Sequence, residues 1–75
     1  MLELDLKGLN CPLPILKTKK FLMNITGGDL VSVYTTDTAS MIDLKTFCDK
    51  TGNILISQSQ KDGIITTVIR RRDDV

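Results

Sequence analysis

Glycine and proline divide this chain into short segments, and that punctuation constrains the fold more than any other feature. Breaks fall at Gly8, at Pro12 and Pro14, at Gly27-Gly28, at Gly52 and at Asp62-Gly63. No apolar run between them approaches the length of about 20 residues that a bilayer-spanning helix needs. The breaks therefore favour short elements that find their partners elsewhere in the chain. The whole chain of 75 residues is expected to form one domain, residues 1–75. A chain this short has a small core and little room for a large internal cofactor pocket.

The segments differ in period. Leu2, Leu4 and Leu6 alternate with Glu3, Asp5 and Lys7, as in a half-buried strand. Cys11-Pro12 reads as a helix start, because proline suits the first helical position. Ile15, Thr18, Leu22 and Ile25 then give one helical stripe, which Gly27-Gly28 is expected to end. Leu30 to Thr35 reads as a second strand. Thr36-Asp37-Thr38 reads as a turn, and Ser40 with Asp43 as a weak capping box opening a second helix. Met41, Leu44, Phe47 and Cys48 supply that helix's apolar face, and Gly52 stops it. Asn53 to Ser59 and Ile64 to Arg70 read as strands joined by a tight hairpin at Asp62-Gly63.

The predicted order is βαβαββ, and a strand–helix–strand unit within one sheet makes a parallel, right-handed connection. The expected fold is an α/β (α+β) two-layer sandwich: a four-stranded mixed sheet with two helices on one face. Ser57, Ser59, Thr66 and Thr67 are expected on the other, solvated face.

Composition removes several functions. The chain has no histidine, so Cys-His and Ser-His pairs within it are excluded. Two cysteines without histidine cannot close a tetrahedral zinc site, and no metal site is expected. A formal charge of +1 and 4% aromatic residues are a poor outfit for nucleic acid, so direct nucleic-acid binding is not expected. No leader or membrane segment is read, and two cysteines point to a reducing compartment, the cytoplasm.

Cys11-Pro12-Leu13-Pro14 carries the chemistry. Cys11 is placed at the helix N-cap, where the dipole and first-turn amides lower a thiol pKa from about 8.5 toward neutrality. The dipole is worth roughly 0.3–1 kcal/mol, so it enriches the thiolate without making it permanent. The prolines stiffen the corner but remove two amides. Only the Leu13 N–H remains for the sulfur, and strong depression is not expected. A cysteine that merely starts a helix is the plain alternative, although Ser, Thr, Asp or Asn caps better. Cys48 shares an apolar helical face and reads as buried; a resolving role against Cys11 is the sharper alternative. Lys17, Lys19 and Lys20 read either as a solvated face or as a docking surface for acidic partners. Arg70-Arg71-Arg72 reads as a charged strand end offset by Asp73-Asp74, with little weight for RNA contact.

Taken together, Leu6-x-Gly8-Leu9-x-Cys11-Pro12-x-Pro14, Ile15-Leu16-Lys17-Thr18-Lys19-Lys20, Gly28-Asp29, Thr36-Asp37, Asp43-Leu44 and Phe47-Cys48 before Gly52 resemble the small TusA/SirA-like sulfur-carrier family. The resemblance covers nearly the whole chain. It implies the βαβαββ fold and a cysteine, Cys11, that carries sulfane sulfur as a persulfide, with no separate cofactor. Gly8, Pro12 and Pro14 would position the helix start, and Asp37 and Asp43 read as capping residues first and docking residues second. The partners implied are a sulfur donor (a cysteine desulfurase or rhodanese-like protein) and a cysteine-bearing acceptor; separately, the chain is expected to be a monomer. Thr38 stands where many members have proline, and Leu13 where some have glutamate. A regulatory interaction module and a small thiol redox protein are the competing readings.

Overall fold

The computed structural model describes residues 1–73. Its elements are β1 (Leu2–Asp5), α1 (Leu13–Leu22), β2 (Leu30–Thr35), α2 (Ser40–Thr51), β3 (Ile54–Lys61) and β4 (Ile64–Arg70). The sheet order is β1-β2-β4-β3. β1 pairs parallel with β2, and β4 pairs antiparallel with both β2 and β3. This is the expected mixed four-stranded sheet beneath two helices. The hairpin also forms as expected: Asp62 and Gly63 both take positive φ, 53° and 79°, the geometry of a two-residue turn whose twist matches its strands.

Register decides which side chains meet the helices. Val31, Val33 and Thr35 of β2 lie opposite Ile69, Thr67 and Ile65 of β4, and all six are buried. Leu6, Leu22, Leu44 and Cys48 close this face, with Ile15, Phe21, Ile25 and Phe47 packed around them. Thr67 therefore lies inside the core and not on the solvated face. The local Ile64-Ile65-Thr66-Thr67 pattern has no parity of its own; pairing with Val33 turns Thr67 inward. Ser57 and Ser59 are exposed and Thr66 is half-buried.

Helix α1 is shorter than its apolar stripe. It ends at Leu22, where the Asn24 side chain donates to the Lys20 carbonyl at 2.9 Å and the Asn24 N–H to the Phe21 carbonyl. Those bonds satisfy carbonyls left open by the last turn. Ile25 stays half-buried from the following turn, so the apolar pattern outlasts the helix. Gly27 serves a close approach instead of a helix stop. A Cβ there would sit 3.0 Å from the Asp73 backbone, so glycine lets the C-terminal segment pass close by. That segment ties both helices down. Arg71 Nε donates to the Leu22 carbonyl, and Arg72 Nη1 to the Thr51 carbonyl at 2.7 Å. Cationic groups at helix C-termini also oppose the negative end of the dipole. Two of the three arginines are thus structural fasteners. Asp74, taken as part of their counter-charge, lies outside the described residues.

Helix α2 stops at Gly52 as expected, with φ +82° and its N–H on the Cys48 carbonyl. Its start differs. The Ser40 hydroxyl turns inward, donating to the Asp37 carbonyl at 2.6 Å beside Thr35 Oγ1, and no capping box forms with Asp43. Asp37 takes the capping work, accepting the Ala39 N–H on Oδ1 at 3.0 Å. The buried stripe of α2 is Ser40, Leu44 and Cys48, one every four residues; Met41 and Phe47 flank it, half-buried. No helix among the described residues is long and apolar enough to cross a membrane.

Candidate functional site

Because β1 and β2 are adjacent and parallel, the loops that leave their carboxyl ends lie side by side. In open sheets with helical connections such loop pairs are the usual location of sites. Two bonds stitch them together. The Gly8 N–H donates to Thr36 Oγ1 at 2.9 Å, and the Cys11 N–H donates to Asp37 Oδ2 at 2.7 Å. Gly8 sits at φ +85° with open space where a side chain would be, so its requirement is conformational.

Cys11 is exposed, as expected. Its position on the helix is not. Helix α1 begins at Leu13 with Pro12 in the cap position, so Cys11 lies one residue outside the N-cap. The Leu13 N–H donates to the Asn10 carbonyl at 2.9 Å and is not offered to the sulfur. Pro14 is buried in the first turn, where a missing N–H leaves no helical bond unmade. Pro12 and Pro14 lie at this corner, but the corner does not aim the dipole at the thiol.

The electrostatics reverse the expected direction. Hydrogen bonding of the thiol to the Asp43 carboxylate, a little desolvation, and the negative charges of Asp43 and Asp37 push the Cys11 pKa up from the ordinary thiol value. The dipole's influence falls off within the first turn and Cys11 lies outside the helix, whereas both carboxylates act on the thiol. Backbone N–H groups of Ala39 and Cys11 hold the Asp37 carboxyl below the usual carboxylate range, so it stays ionised beside the sulfur. Asp37 and Asp43, read from sequence mainly as capping residues, are the carboxylates whose charge acts on the thiol.

From Cys11 a shallow groove of about 500 Å³ runs between α1 and α2. Ile15, Leu16 and Phe47 supply apolar walls, and Lys19 and Lys50 line it farther along. The three lysines of α1 are not one surface. Only Lys19 faces this groove; Lys17 and Lys20 border a different depression, beside Leu4, Leu9 and Phe21. Lys50, Leu16 and Phe47 went unassigned to the site in the sequence. Their signal was available: two parallel strands imply two adjacent helices, and one face of each must line the cleft beside the cysteine.

Cys48 is buried, and burial pushes its thiol up to about 11. It is a core side chain, and both cysteines are free thiols.

The sequence matches the family model described as Sulfurtransferase TusA over residues 2–71. It is 41% identical over 69 residues to the sulfur carrier protein TusA of Allochromatium vinosum, covering 92% of this chain and 91% of that one. It is 34% identical over 71 residues to the sulfur carrier protein TusA of Pseudomonas putida, covering 95% and 89%. The crystal structure of a SirA-like protein from Desulfitobacterium hafniense superposes with a TM-score of 0.84 at 27% identity, covering 97% of this chain and all of the other.

Proposed function

The chain belongs to the TusA family of sulfur carrier proteins, and from that premise we propose that Cys11 is the atom-carrying residue. Its thiolate attacks the outer sulfur of a donor persulfide, R–S–S–H. The donor S–S bond breaks and the donor cysteine leaves as a thiolate with the bonding pair. Cys11 becomes Cys–S–S–H, and nothing is oxidised or reduced overall. An acceptor cysteine thiolate then attacks that outer sulfur, and Cys11 leaves in the same way. The step as written needs no metal or organic cofactor.

The observation that carries this reading is an exposed thiol at a proline-stiffened corner, held between two cross-linked loops at the head of an open groove. Gly8, Pro12 and Pro14 position it. Residues 1–75 act as one carrier unit. Donor and acceptor are cysteine-bearing proteins, the donor a desulfurase or rhodanese-like protein, in a reducing compartment such as the cytoplasm. The acceptor sets the destination, whether tRNA thiolation, cofactor synthesis or sulfur oxidation. A dithiol redox role is the weaker reading, because it needs both sulfurs to meet and Cys48 is packed in the core.

The test is intact mass after incubation with a cysteine desulfurase and cysteine, or with inorganic polysulfide. The expected result is a gain of one sulfur atom that tris(2-carboxyethyl)phosphine removes and that Cys11→Ser abolishes. No uptake from any of these donors would sink the reading.

A further inference from the structure

The groove between the helices is charged unevenly along its length. Asp43, with Asp37 nearby, sits at the Cys11 end, and Lys19 and Lys50 line the groove farther along. Between them lies apolar surface; Leu16 alone is 55% exposed. Lys50 follows Asp43 on α2 by about two helical turns, roughly 11 Å. An extended chain covers that span in three to four residues. The groove is shallow and open, so an extended strand can lie along it.

We propose that this groove docks an extended, cysteine-bearing segment of the protein that exchanges sulfur with Cys11, with neutral or basic residues flanking its cysteine and a carboxylate three to four residues away. The proposal rests on Cys11 being the carrier residue. Each half of the segment meets opposite charge: the flanking residues meet Asp37 and Asp43, and the distal carboxylate meets Lys19 and Lys50. Apolar side chains between them cover Leu16 and Phe47. A cationic group beside the incoming cysteine also offsets the two carboxylates that push the Cys11 pKa up, so docking favours the thiolate.

Two isomeric peptides test this. One is Glu-Ala-Leu-Arg-Cys-Arg-Leu-Ala-Glu, and the other is Arg-Ala-Leu-Glu-Cys-Glu-Leu-Ala-Arg. They share composition and net charge, and each reads alike in both chain directions. Each cysteine is activated as a mixed disulfide with 2-thiopyridine. Cys11 thiolate attacks the peptide sulfur, the peptide becomes disulfide-bonded to Cys11, and the released thiopyridone is followed by absorbance. Rates are divided by those of 2-mercaptoethanol with the same peptide, which removes intrinsic differences in reactivity.

The first peptide should react about fivefold faster at low salt, the scale of a few exposed charge pairs. The preference should shrink to under twofold in 1 M NaCl and fall by half or more in Lys19→Gln/Lys50→Gln. Equal rates at low salt, or a preference that the double substitution leaves unchanged, would overturn the proposal. Sulfur uptake from polysulfide is measured on the same protein. Uptake without peptide preference removes the docking groove and leaves the carrier reading intact; failure of uptake removes the carrier reading itself.

Discussion

Cys11 and Cys48 are the same residue type in opposite settings, and both hold their protons more tightly than an ordinary thiol. The causes differ. Cys11 is exposed and is raised chiefly by the Asp43 carboxylate. Cys48 lies in the core and is raised chiefly by burial, to about 11. The difference matters for chemistry. A thiol suppressed by neighbouring charge is released when that charge is screened or paired. A thiol suppressed by burial is released only when the fold opens. The first arrangement suits a carrier that should react on contact with its partner, and the second suits a packing residue.

The sharpest way to break that comparison is alkylation of the native protein with iodoacetamide. Cys11 should be modified about a thousandfold faster than Cys48, because core positions react through openings that cost several kcal/mol. Comparable rates at the two sites would show that Cys48 is not sealed.

Removing the buried sulfur tests the packing half. Cys48→Ala should cost about 1 kcal/mol in urea unfolding, the scale of a small core truncation. The pH dependence has a definite sign. The folded pKa of Cys48 is raised, so its contribution to stability is full below the ordinary thiol range. It should be lost as pH climbs from there through about 11. That decline should flatten in Cys48→Ala; an unchanged profile would assign it to other groups.

Removing the nearby charge tests the reactive half and carries the smallest effect. Asp43→Asn should raise the Cys11 alkylation rate about threefold at neutral pH, since a solvent-exposed charge contact is a weak one. The midpoint of the pH–rate curve should move down toward the ordinary thiol value. A midpoint that stays put would show that Asp43 does not govern the sulfur.

Much of the fold was legible because the local signals were redundant. Strands β2 and β4 have the bounds read from their residues, the hairpin falls at Asp62-Gly63, and Gly52 ends α2. The errors cluster where local pattern is silent or ambiguous. Ile25 continued the apolar stripe of α1 although the helix had ended at Leu22, because a turn can feed the same core as a helix. Ser40 looked like a cap, but its hydroxyl found Thr35 and the Asp37 carbonyl inside. The three lysines looked like one patch, yet only Lys19 faces the groove with the cysteine.

At the sulfur the division is clear. Sequence by itself determined the order of elements, the mixed sheet, which cysteine is exposed and the proline-stiffened corner that presents it. These follow from residue types and spacings within a few positions of one another. Only the tertiary structure decided the charge the thiol meets. Asp37 is 26 residues from Cys11 in the chain, and it arrives with Asp43 because parallel pairing of β1 and β2 lays their two loops together. Coulomb interactions depend on distance in space, and a local reading of the helix start registers the dipole alone.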